Sequence, residues 1–116
     1  MTQTYLIRVH TLQCFLPDEG TDEVYLMYKD QKVWPSGEKY KPMKEDVSLP
    51  VKIELEVIKG ATATIELWEF DTLSADDNLG KFLLKADEIG GPYNSDMIKK
   101  DKGKSKYGIN WEVTTL

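Results

Sequence analysis

The sequence predicts an all-β fold, an antiparallel sandwich. Two observations carry this. In Val51–Ile58 the apolar residues Val51, Ile53, Leu55 and Val57 alternate with Lys52, Glu54 and Glu56, and the same pattern returns in Ala63–Leu67 and in Tyr107–Val113. Alternation of this kind gives each strand one core face and one wet face. Further short apolar runs, separated by turn-forming residues, supply more strands than a single layer of this length needs, which is how a two-layer sandwich reads.

The elements follow in order. Tyr5, Ile7 and Val9 open the chain as a strand, with His10 in phase with Leu6 and Arg8 on its other face. Val24–Tyr28 forms a second strand after an acidic loop. Pro35, Gly37, Pro42 and Pro50 punctuate Trp34–Pro50, so this stretch reads as one short edge strand and loops. Val51–Ile58 and Ala63–Leu67 are joined by a connection through Lys59 and Gly60 short enough for a hairpin. Leu79–Leu84 follows a second acidic loop. Between Asp87 and Ser105 the sequence encodes no more than a helical turn near Asp96–Lys100, and Tyr107, Ile109, Trp111 and Val113 close the sandwich.

Composition narrows the function. The 116 residues suit one domain, residues 1–116, with no repeat or linker dividing it. A formal net charge of −5 argues against a nucleic-acid partner, because a phosphate backbone is held mainly by lysine and arginine. The N-terminus lacks the basic-then-apolar pattern of a signal peptide, and no apolar run approaches the ~18 residues of a transmembrane segment. The expected location is therefore cytoplasmic. One cysteine, Cys14, cannot form an internal disulfide and reads as packing.

The richest stretch is Thr64–Gly80, TIELWEFDTLSADDNLG. Residues two apart in a strand project to one side, so Glu69 and Asp71 can aim carboxylates at one point while Phe70 turns away. Asp77 can fold back to the same point across a loop through Ser74, and Gly80 eases the turn. Converging carboxylates repel until a cation joins them. An oxygen-only cluster suggests calcium, a hard ion that takes roughly 6 to 8 oxygens. Zinc is disfavoured, since His10 and Cys14 are the only histidine and cysteine. An EF-hand is excluded too: counted from Asp71, Asp76 stands at the glycine position and Phe82 at the closing glutamate.

Glu69, Asp71, Asp77 and Gly80 match a strand-loop frame of acidic residue, spacer, aspartate, a further aspartate six residues on, then glycine. In this the chain resembles the C2 domains, calcium- and lipid-binding β-sandwiches, over most of its length. The resemblance implies an eight-stranded Greek-key sandwich and places the family's other acidic loop at Pro17–Tyr28. It further implies calcium held by Asp22, Glu69, Asp71 and Asp77 with Asp18 as a fifth ligand, Asp76 as an outer charge, and neutral oxygens from Ser74 or from carbonyls near Leu16 and Phe70. The chain departs from the family where Glu69 replaces an aspartate, where only three residues separate Asp18 from Asp22, and where Glu23 occupies a common proline position.

By the same resemblance, the ion-loaded loops would dock on anionic phospholipid or on a protein partner, as a peripheral membrane module. Leu73, Phe15 and Leu16 are the membrane-contact candidates, the other reading being that they pack on the sandwich. Lys99, Lys100, Lys102, Lys104 and Lys106 form a basic patch that could face an anionic surface or simply be a solvated, charged edge. Lys39 and Lys41 form a smaller basic face. An alternative is a calcium-independent structural or protein-interaction adaptor, with Trp34, Tyr40 and Trp68 as anchors if exposed together. Catalysis is not expected: Glu69 and Asp71 could make a glycosidase pair, but the aspartates around them suit a cation better, and a compact sandwich has little room for a long cleft.

Overall fold

The computed structural model describes residues 2–116. Among them ten strands are formed: β1 (Thr4–Leu16), β2 (Asp22–Tyr28), β3 (Gln31–Trp34), β4 (Lys41–Met43), β5 (Ser48–Ile58), β6 (Thr62–Glu69), β7 (Asp77–Lys85), β8 (Gly90–Asp96), β9 (Ile98–Lys99) and β10 (Lys106–Thr115). Eight are four residues or longer, and β4 and β9 are short additions. They make two antiparallel sheets, one ordered β5-β1-β10-β8 and one ordered β3-β2-β6-β7-β9 with β4 paired to β2. The chain passes between the sheets repeatedly, and their facing sides enclose one core.

The alternation in the sequence sets which side faces in. Val51, Leu55 and Val57 of β5, Ala63, Ile65 and Leu67 of β6, and Tyr107, Ile109, Trp111 and Val113 of β10 are buried. In β1 the inward set changes phase, from Tyr5, Ile7 and Val9 to Leu12 and Cys14. A bulge between Val9 and Thr11 makes the change, because one extra residue returns the even-numbered side chains to the core. His10 sits at this bulge and bonds Glu112 Oε1 at 2.9 Å. Cys14 is a buried free thiol, and its burial pushes the thiol up from its ordinary range.

Three local expectations are corrected. β5 and β6 are not a hairpin: β5 pairs with β1, whereas β6 pairs with β2 and β7. The turn between them is a corner from one sheet to the other, closed by Ala61 N–H donating to Ile58 O at 2.9 Å, with Gly60 at φ 89°. The helical turn expected over Asp96–Lys100 is replaced by the end of β8 and by β9, since Gly80 and Lys81 of β7 offer a free edge to Lys99 and Ile98. Trp34 is no surface anchor either: it is buried and donates its indole N–H to Pro50 O at 3.1 Å.

Candidate functional site

The acidic end is built from the β1–β2 loop, the β6–β7 loop and the segment between β9 and β10. Glu69 is the last residue of β6 and continues the inward register of Ala63, Ile65 and Leu67, so its carboxylate is turned into the sandwich and is 9% exposed. Asp22 opens β2 and is fully buried beside it. Burial pushes the Glu69 carboxyl up to about 8, and the adjacent Asp22 charge and hydrogen bond push the same way. Desolvation and like charge both favour the protonated acid.

Asp22 is held in place by the protein itself. Its Oδ2 accepts from the Asp18 amide at 2.8 Å and from the Tyr107 hydroxyl at 2.6 Å, and its Oδ1 accepts from the Glu19 amide at 3.1 Å. Tyr107 reaches across from the opposite sheet, and burial followed by its bond to Asp22 holds its hydroxyl proton on firmly.

The β6–β7 loop is closed by its own aspartates. Asp71 Oδ1 accepts from the amides of Leu73 at 2.8 Å and Ser74 at 3.3 Å, and its Oδ2 accepts from the Ser74 hydroxyl at 2.9 Å. The Leu73 amide and the Ser74 hydroxyl draw its pKa below the ordinary aspartate value. Asp76, expected as an outer charge, accepts the Asp71 amide at 2.9 Å and the Tyr25 hydroxyl at 2.5 Å. Burial first, and then that bond, pushes the Tyr25 hydroxyl up.

The five sequence-predicted ligands do not meet at one point. Four of them divide between two hollows that share Asp77, and Asp22 is fully buried and lines neither. Glu69, Asp71 and Asp77 line the smaller, about 160 Å³, together with Glu19, Glu23, Thr21 and Thr72. Asp18 lines the larger, about 500 Å³, with Asp76, Asp77, Asp101 and two lysines of the basic patch, Lys99 and Lys100. Asp18 faces the β9–β10 segment closely: a Cβ at Gly103 would stand 3.0 Å from Asp18 Oδ1 and 3.1 Å from Asp101 Oδ1. Among the described residues no three histidine, cysteine, aspartate or glutamate side chains are gathered closely enough to hold an ion as they stand. The donor chemistry of the smaller hollow, carboxylates and hydroxyls only, nevertheless suits a hard cation.

Spacing in the sequence missed Glu19, Glu23, Asp101 and Tyr107. Asp101 was hidden within the run of lysines, and Tyr107 read only as a core aromatic; the reach of its hydroxyl depends on the packing of the two sheets. Of the membrane-contact candidates, Leu73 stands at the loop tip and is 95% exposed. Leu16 is half-buried at the end of β1. Phe15 lies over Gly108 on the outer face of the four-stranded sheet, where a Cβ would meet its ring at 2.8 Å. Lys102, Lys104 and Lys106 are exposed, while Lys99 Nζ donates to Gly103 O at 3.0 Å. Tyr40 stacks on Phe70 with centroids 5.1 Å apart, and Trp68 is half-buried with its indole N–H toward Glu66.

No protein-family model matches the chain, and no curated protein does. Among solved structures it is similar to a C2 domain, the one designated A, of a plant extended synaptotagmin 1, with a TM-score of 0.54 and 11% identity, over 98% of this chain and 95% of that one. Among the described residues no helix is long and apolar enough to cross a membrane.

Proposed function

We propose that this chain, a sandwich of C2-like fold, is a non-catalytic binding module whose acidic end takes calcium and thereby docks on an anionic phospholipid surface. The observation that carries the reading is the burial of Glu69 beside Asp22 in a hollow also lined by Glu19, Glu23, Asp71 and Asp77. Carboxylates crowded in this way are relieved by a divalent cation. Glu69, Asp71 and Asp77 would hold it, with Asp22 behind them and Asp18 in the adjoining hollow. Calcium when bound supplies positive charge at this end of the sandwich. Asp22 keeps the first loop folded onto β2 and β10, and Asp71 sets the shape of the second loop. Leu73 projects from that loop as an apolar side chain that can enter a lipid surface, and Lys99 and Lys100 add attraction to anionic headgroups.

A second reading, a calcium-independent protein-interaction module, is favoured by one specific feature. The oxygens of Asp22 and Asp71 already accept hydrogen bonds within the protein, so both loops are held in shape by backbone amides and by the Ser74 and Tyr107 hydroxyls.

Thermal melting with calcium, with magnesium as control, separates the two. An ion bound only to the folded state stabilises by about 2.7 kcal/mol at 100 times its dissociation constant, a rise of several degrees for a domain of this size. A calcium-specific rise, lost in Asp71→Asn and Asp77→Asn and joined by calcium-dependent sedimentation with phosphatidylserine vesicles, is the expected result. A melt unchanged by millimolar calcium removes the calcium reading and leaves the interaction module.

A further inference from the structure

The outer face of the four-stranded sheet divides into two unlike halves. One half is charged: Arg8 Nε lies 2.9 Å from Glu54, and His10 lies 2.9 Å from Glu112. The other half is a shallow hollow of about 280 Å³ lined by Thr11, Gln13, Phe15, Asn94 and Asn110, with Asp96 as its one charged side chain. In a chain of which 30% is charged, a hollow of amides and hydroxyls with one carboxylate and no cation is a departure from the rest of the surface.

Strand register arranges these groups in two rows. Thr11, Asn110 and Asn94 lie side by side across β1, β10 and β8, and Gln13, Gly108 and Asp96 make the next row. Asn110 Nδ2 donates to Asn94 Oδ1 at 3.0 Å, which fixes both amides against the sheet. Among the described residues, Asn110 Oδ1 and the Asn94 amide nitrogen make no further protein hydrogen bond, nor do the side chains of Thr11 and Gln13. The result is a set of neutral donors and acceptors held on rigid strands. Beside them the edge of the Phe15 ring lies over Gly108, and Phe15 is still 43% exposed.

We propose that this face binds a neutral carbohydrate. Vicinal hydroxyls on a sugar ring both donate and accept, which matches the free amide oxygen and nitrogen of the Asn110–Asn94 pair, and the apolar C–H face of the ring matches the exposed aromatic surface of Phe15. The hollow offers no cation to an anionic ligand, and Asp96 repels one. The proposal is independent of the calcium reading, because Phe15, Asn94 and Asn110 lie on another surface from Glu69 and Asp77.

Native gel electrophoresis through laminarin, glycogen, xyloglucan or galactomannan, with calcium chelated throughout, tests it. The protein is expected to be retarded by at least one of these polysaccharides. Affinity should fall roughly tenfold or more in Asn110→Ala and in Phe15→Ala, the size expected for the central contacts of a site. Gln13→Ala gives a third variant on the outer face should Phe15→Ala fold poorly, and Asp71→Asn should bind as the parent does. Unaltered mobility in all four gels overturns the proposal. So does retardation that persists in both Asn110→Ala and Gln13→Ala.

Discussion

Glu69 and Asp22 share a dry corner at the edge of the core, and the cost of that arrangement is readable in a pH titration. The Glu69 pKa of about 8 stands above the 4.5 of an unperturbed glutamate, so between these values the folded state holds a proton that the unfolded state has released. Stability from this group therefore falls as pH rises through that window. With calcium chelated, the parent is expected to melt higher near pH 5 than near pH 8, by more than Glu69→Gln does; equal pH dependence in both would show that Glu69 ionises freely. Tyr107→Phe removes the hydroxyl that Asp22 accepts at 2.6 Å and is expected to cost about 1.5 to 3 kcal/mol in urea unfolding, the usual range for a hydrogen bond to a charged group. The spacing of Glu69 and Asp71 was legible as a pair of acids on one side of a strand, but β6 ends at Glu69, so alternation no longer governs Asp71. Asp71 instead turns back on the amides of its own loop.

Among the elements, those whose pattern is set by burial were legible and those set by pairing were not. β5, β6 and β10 alternate because one face meets the core, and a single chain carries that information. The partners of a strand are another matter: the corner at Gly60 and the two-residue β9 depend on which edges lie free once the sheets have formed. β9 is held at Gly80, where a Cβ would come within 2.4 Å of Ile98 O. Gly80→Ala is thus expected to separate β9 from β7 and to cost about 1 to 3 kcal/mol, the range for inserting a methyl group into a packed site. In hydrogen exchange, the Lys100 amide, which donates to Leu79 O at 3.1 Å, should lose its protection while β1 and β10 keep theirs. An unchanged Lys100 amide would mean that β9 tolerates the methyl group.

For the molecule as a whole, the decisive contact is between the first long strand and the last. β10 lies inside the four-stranded sheet between β1 and β8 and also carries Tyr107 to Asp22 in the acidic end. Ending the chain at Ser105 is expected to abolish cooperative unfolding altogether, visible as collapsed dispersion in an amide proton spectrum; a folded spectrum from that truncation would show that β1 and β5 can form without β10. The sandwich as an architecture was legible from alternation, whereas the division of the acids into two hollows was not, because it depends on how the segment between β9 and β10 packs beside Asp18. The Tyr107–Asp22 bond also has a bearing on biosynthesis. Its partners are separated by 85 positions, so a ribosome adding about 5 to 20 residues per second makes Tyr107 roughly 4 to 17 s after Asp22. Throughout that interval Asp22 lacks the hydroxyl that anchors it, and the first acidic loop gains that hold only when the last strand arrives.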